Sequence, residues 1–88
     1  MWMSNIIPVL ANKLVRLKEG LIYTCVGKEY VFTYQSSGVG RSTVFVSNDR
    51  KNWVWLVTLT NDDSVVCIHT WEYQKLVGSD LSVTMNRG

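Results

Sequence analysis

The sequence predicts an α+β fold, in which an N-terminal helix packs on a five- or six-stranded antiparallel meander that can curl into a small barrel. Two features of the sequence lead there. Apolar residues recur at helical spacing over residues 4–19, and after Gly20 the chain turns into β-branched and aromatic runs separated by short turn signals. With 88 residues there is room for one domain, residues 1–88, with the helix over 4–19 and the sheet over 21–85.

In "SNIIPVLANKLVRLKE", Ile7, Leu10, Leu14 and Leu17 share a stripe, flanked by Ile6 and Ala11, and Asn12, Lys13 and Arg16 lie opposite. Ser4 or Asn5 can cap the start, Pro8 is tolerated in a first turn, and Gly20 suits the stop. The competing reading is a strand at "KLVRLK", where Val15 sits well; the chain then becomes an all-β small barrel.

The strands follow in order. "LIYTCV" and "EYVFTYQ" flank Gly27-Lys28, a hairpin signal with Gly at the first turn position. "SSGVG" is a flexible loop, then come "STVFVS", the turn "NDRKN", "WVWLVTLT", the turn "NDD" and "SVVCIHTW". A weaker strand, "LSVTMN", follows "GSD". In "WVWLVTLT", Trp53, Trp55, Val57 and Leu59 share one face, and Val54 and Leu56 lie on the other. Apolar residues on both faces predict a central strand, covered by the helix on one side and by more sheet or a second subunit on the other. A three-residue "NDD" hairpin pairs Trp55 with His69 and Trp53 with Trp71; a two-residue loop pairs Trp55 with Thr70 and disperses the cluster.

Composition narrows the function. Hydrophobic residues make up 47% and charged residues 18%, an apolar chain for its size, so part of that surface is expected at an interface and a homodimer is expected. A net charge of +2 lacks the basic excess of a dedicated duplex-DNA binder. Cys25 and Cys67 fit no metal or redox spacing. The opening residues lack the pattern of a signal peptide, and no run approaches the ~20 apolar residues of a membrane span. A cytoplasmic protein with reduced thiols and no membrane association is expected.

Catalytic chemistry finds little support. His69 is the lone histidine, and Cys67 two positions earlier on the same strand face is ~7 Å away, long for an activating hydrogen bond. Asp49, Asp62 and Asp63 fall in turns, where they serve turn chemistry. "GVGR", residues 38–41, could hold a phosphate on backbone N–H groups, but reads more simply as a hairpin connection. No enzyme activity, cofactor or metal is expected. What remains is aromatic and basic residues together: Arg41, Arg50, Lys51, Trp53, Trp55, His69 and Trp71 form the expected binding set. These are the residue types of protein-interface hot spots, and the low charge favours a protein partner that the chain blocks or sequesters, as an inhibitor or accessory factor. The alternative is a module that binds single-stranded nucleic acid or a nucleotide-like ligand by stacking.

Overall fold

A computed structural model of the chain describes residues 6–25, 30–78 and 80–87. Those residues contain nine strands: β1 (Ile6–Pro8), β2 (Leu14–Leu17), β3 (Ile22–Thr24), β4 (Tyr30–Ser37), β5 (Ser42–Ser47), β6 (Val54–Leu59), β7 (Ser64–His69), β8 (Tyr73–Val77) and β9 (Ser82–Arg87). One sheet has the order β1-β3-β8-β5-β6 and the other β2-β9-β4-β7. Every pair is antiparallel except β1 on β3. Over β2 to β9 this is the strand order of a jelly roll, two Greek keys folded into facing sheets.

The fold is therefore all-β, and the expected N-terminal helix is corrected: there is no helix among the described residues, and so none long and apolar enough to cross a membrane. The apolar stripe assigned to a helix does not lie on one buried face. Leu10 and Leu14 are 59% and 66% exposed, while Leu17 is buried and Val15 half-buried beside it, a period of two. Asn12 has a positive φ of 59° and donates its N–H to the Arg87 carbonyl at 2.8 Å, turning the chain in the middle of the expected helix. Ser4 and Asn5, read as caps, lie outside the described residues.

The meander and the barrel are corrected too. The sheets do not close on each other. Only β5 and β6 are both consecutive and paired; the other seven of the eight connections between nine strands pass from one sheet to the other. The flanks of Gly27-Lys28 are not hairpin partners, because β3 and β4 belong to different sheets; the turn residues themselves lie outside the described residues. "NDD" is likewise a crossover, from β6 to β7.

Alternation within strands builds the interior. Phe32, Tyr34 and Ser36 of β4, Ser42, Val44 and Val46 of β5, Gln74 and Leu76 of β8, and Val83 and Met85 of β9 are buried, with exposed or half-buried residues between them. The core adds Val9, Leu17, Tyr23, Cys25, Leu59 and Leu81. Each buried aliphatic or aromatic side chain contributes ~1.5–3 kcal/mol relative to exposure.

Crossing connections gather at two ends. At one end the turns after β4 and β6 bind each other: Gly38 N–H donates to Asp62 Oδ1 at 3.1 Å and Gly40 N–H to Asn61 Oδ1 at 2.8 Å. Gly78 N–H donates to Glu19 Oε2 at 3.0 Å at that same end. At the other end Glu72 N–H donates to Asn48 Oδ1 at 3.1 Å, tying the β7–β8 turn to the β5–β6 turn.

Candidate binding face

The outer face of the five-stranded sheet carries a group of aromatic residues. Pairing places Phe45 of β5 between Trp55 of β6 and Lys75 of β8, and Lys75 opposite Ile22 of β3. Directly opposed residues share a face, so these four form one row across four strands. A second row holds Thr43 between Thr58 and Val77. Tyr73, two positions before Lys75, shares the face, and Trp53 enters β6 beside it.

A β-bulge decides which way Trp55 points. The register slips between Val44 and Phe45, so that Val44 faces Val57 but Phe45 faces Trp55, and Leu56 is the extra residue. Trp55 consequently stands on the outer face with Thr58, 59% exposed. Its Nε1–H donates to Thr58 Oγ1 at 2.8 Å, and Thr58 and Thr43 share a hydroxyl–hydroxyl bond of 3.1 Å. The ring is exposed yet fixed in place. The expectation of a central strand buried on both faces is thus overturned: β6 is the edge of its sheet, and Val54 is 46% exposed.

Cations cover two of the neighbouring rings. Lys75 Nζ lies 4.3 Å from the centre of the Trp53 ring, and Arg50 Cζ lies 5.2 Å from the centre of the Tyr73 ring. Arg50 reaches back this way because its turn is wound tightly around Asp49. Lys51 and Asn52 N–H groups each donate to Asp49 Oδ1 at 2.8 Å, Asn52 Nδ2 donates to Oδ2, and Ser47 Oγ accepts from Arg50 N–H at 2.9 Å. Arg50 adopts φ 63° at the bend. The Asn52 and Lys51 N–H groups hold the Asp49 carboxyl far below the ordinary carboxylate range. The Glu72 carboxylate, first by a side-chain hydrogen bond, raises the Tyr73 phenol above its ordinary range. Lys51 stands exposed at the tip of the turn.

The predicted binding set is split by the fold. Trp53, Trp55, Arg50 and Lys51 come together at one side of this face. Arg41 does not join them: it precedes β5, whereas Arg50 and Lys51 follow it, and six residues of strand separate the two ends by about 20 Å. The Gly38 and Gly40 N–H groups beside Arg41 are already bonded to Asp62 and Asn61, so the phosphate cradle is not free. His69 is also removed. It faces Tyr30 in the other sheet, is 9% exposed, and stacks on Phe32 with ring centres 4.6 Å apart. Trp71 N–H donates to His69 Nδ1 at 3.0 Å, while Nε2 is buried with no hydrogen-bond partner among the described residues. Burial lowers the His69 pKa from its ordinary value. Trp71 is half-buried at the same end as Lys51, but its expected pairing with Trp53 fails because β6 and β7 lie in different sheets.

Phe45, Tyr73 and Lys75 were missed by the sequence reading. The alternation in "STVFVS" held the signal for Phe45, opposite in facing to Val44 and Val46. Cys25 and Cys67 are free thiols, buried and half-buried, and burial raises both pKa values. Among the described residues no three His, Cys, Asp or Glu side chains gather as a metal site would. A depression of about 350 Å³ lies away from the aromatic face, lined by Arg16, Leu17, Lys18, Glu19, Leu76 and Leu81. Its one carboxylate, Glu19, already accepts the Gly78 N–H.

Comparison with protein-family models, with curated proteins and with solved structures gives no match to this chain.

Proposed function

We propose that this chain is a non-catalytic binding protein that holds a protein partner against the outer face of its five-stranded sheet, blocking or sequestering that partner as an inhibitor or accessory factor. The observation that carries the reading is Trp55, 59% exposed and fixed by its own hydrogen bond beside Phe45 and Trp53. A solvent-facing tryptophan held in one orientation loses little conformational freedom on binding and offers a large apolar area, the character of a hot spot. The free thiols suit a reducing compartment, and we place the protein in the cytoplasm.

Binding of single-stranded nucleic acid is the competing reading, favoured by Arg50 and Lys51 beside the rings. Two features weigh against it. Lys75 already covers a face of Trp53 and Arg50 a face of Tyr73, where a base would stack, and the net charge is only +2. The test is affinity capture with the wild-type chain, Trp55→Ala and Arg50→Glu/Lys51→Glu in parallel, with the bound material identified by mass spectrometry. The expected result is a protein retained by the wild type at both low and high salt. Trp55→Ala should lose about 2 kcal/mol of affinity, about thirtyfold in Kd, with an unchanged melting temperature. An oligonucleotide released by salt and lost in the charge-reversed variant would establish the competing reading instead.

A further inference from the structure

The β6 edge has no strand partner among the described residues, and apart from its bulge it lacks the usual protection. Val54–Leu59 reads "VWLVTL", with no Lys, Glu or Pro along an exposed edge strand. Natural sheets normally place such residues at an edge to prevent pairing with another chain. The charges lie instead at the two ends. Arg50 and Lys51 precede β6, and Asp62 and Asp63 follow it. From this arrangement we infer that β6 pairs antiparallel with β6 of a second copy of this chain about a two-fold axis, joining two five-stranded sheets into one of ten strands.

Antiparallel pairing brings the basic turn of each copy to the acidic turn of the other. Alignment of Val54 with the partner copy's Leu59 brings the turn that holds Arg50 and Lys51 in each copy beside the turn that holds Asp62 and Asp63 in the other, once at each end by symmetry. The bulge makes this alignment geometrically consistent. In a sheet, opposed residues must share a face, and a two-fold perpendicular to the sheet keeps each residue on its own face. In a regular strand that rule would forbid pairing positions an odd number apart, such as 54 and 59. Because Leu56 is the extra residue, Trp55 shares its face with Thr58, and Val54 shares its face with Leu59, as their partners on β5 show. Trp55 thus meets Thr58 of the second copy, and the axis passes between Leu56 and Val57. The bulge coils the edge locally, and this axis makes both strands coil at the same level.

β7, the edge strand of the four-stranded sheet among the described residues, does not offer the same match. β7 is flanked by Asp62 and Asp63 before it and Glu72 after it, so its antiparallel self-pairing would oppose acid with acid. Pairing of β6 with the partner copy's β7 would oppose Asp62 and Asp63 with their own counterparts. Of these three pairings, β6 with β6 alone matches charge at both ends.

Sedimentation of the full chain, with thermal melts of every variant, tests this. The wild type should show twice the 10.1 kDa chain mass. Lys51→Glu and Asp62→Lys each place like charges at both ends and should weaken the dimer about tenfold or more at low salt. Mixed in equal amounts, the two variants oppose the introduced glutamate of one copy to the introduced lysine of the other at one end. At the other end the native Asp62 and Lys51 still meet, and the mixture should regain the wild-type mass. Asp62 also accepts the Gly38 N–H, so Asp62→Asn, which keeps an acceptor, checks that charge rather than the turn is responsible; it should weaken the dimer less than Asp62→Lys. A 10.1 kDa species at every concentration overturns the proposal. So does a dimer indifferent to both charge reversals, or one that mixing fails to restore.

Discussion

His69 looked like a binding residue because it is the lone histidine, two positions from a cysteine and near tryptophans. Its environment assigns it a different task. The ring stacks on Phe32, its Nδ1 accepts the Trp71 N–H, and it is neutral because burial lowers its pKa. Protonation would convert Nδ1 from acceptor to donor and break that bond. It would also place a cation near Arg87, whose guanidinium lies 3.7 Å from the centre of the Tyr30 ring, Tyr30 being the cross-strand partner of His69. The sign of the pH effect follows. With a depressed folded-state pKa, the unfolded chain binds the proton first, at an imidazole pKa of about 6.5. Stability should therefore be level above that value and fall as pH drops from it through the folded-state pKa, by at most about 1.4 kcal/mol per pH unit for one proton. Urea melts of wild type and His69→Asn check this. Asn can still accept the Trp71 N–H but does not titrate, so the variant should be less stable overall and flat across that window. An unchanged slope in the variant would place the titration elsewhere.

At the scale of elements, turns control which sheet a strand enters, and they are also where the sequence was hardest to interpret. Gly40 has φ 137° in the turn after β4, and a Cβ there would collide with the Asp80 side chain. Gly20 has φ 89° in the β2–β3 turn, with nothing within 4 Å of where its Cβ would be. Gly20→Ala should cost about 1 kcal/mol for the backbone alone, and Gly40→Ala about 2–3 kcal/mol from backbone and collision together. Thermal melts should show Gly40→Ala shifted the further, by about 10 °C or more; equal shifts would mean that the loop absorbs the Cβ. Strands were legible where alternation was clean: "STVFVS" is β5 residue for residue, and "EYVFTYQ" contains most of β4. β8 was missed, although it is central to its sheet, because its inward position 74 is Gln and its outward position 75 is Lys, which erases the apolar alternation. Residues 14–17 satisfy helical and strand spacing alike, and the tie is broken by a β9 partner about seventy residues away, which no local window contains. Pairing of β6 with β7 was the natural local choice for "NDD", yet the connection crosses between sheets. That single misreading gathered Trp53, Trp55, His69 and Trp71 into one cluster. The outward-facing half, with Phe45 and Lys75, became visible only through the β5 and β8 registers.

Across the whole molecule, the two sheets are held together by an apolar interior and by polar ties, of which Tyr34–Gln74 joins two side chains and Tyr23, bonded to the Lys18 N–H and the Arg16 carbonyl, is another. Tyr34 of β4 and Gln74 of β8 are both fully buried, and the Tyr34 hydroxyl donates to Gln74 Oε1 from the opposite sheet. Burial raises the phenol well above its ordinary range, so it stays a donor wherever the protein is folded. Gln74 Nε2 has no partner among the described residues, so the tie is only half satisfied and much of its worth lies in sparing Oε1 the same condition. Removing one partner is then worse than removing both. Tyr34→Phe leaves the buried Gln74 carbonyl and amide NH2 both unpaired and should cost about 1–3 kcal/mol; Gln74→Leu strands the hydroxyl and should cost a similar amount, reduced by loss of the unpaired amide NH2. The double variant leaves an apolar contact between the sheets and should be less destabilised than the sum of the two, by about 1 kcal/mol or more. Because seven of the eight connections switch sheets, neither sheet can come apart alone, and these changes should shift one transition without splitting it. Denaturant melts of the four proteins, followed by tryptophan fluorescence and by circular dichroism, measure both the coupling and the number of transitions. Additive costs would mean that the hydroxyl and the amide stabilise the sandwich independently. A split transition would mean that the outer aromatic face can be lost while the second sheet survives.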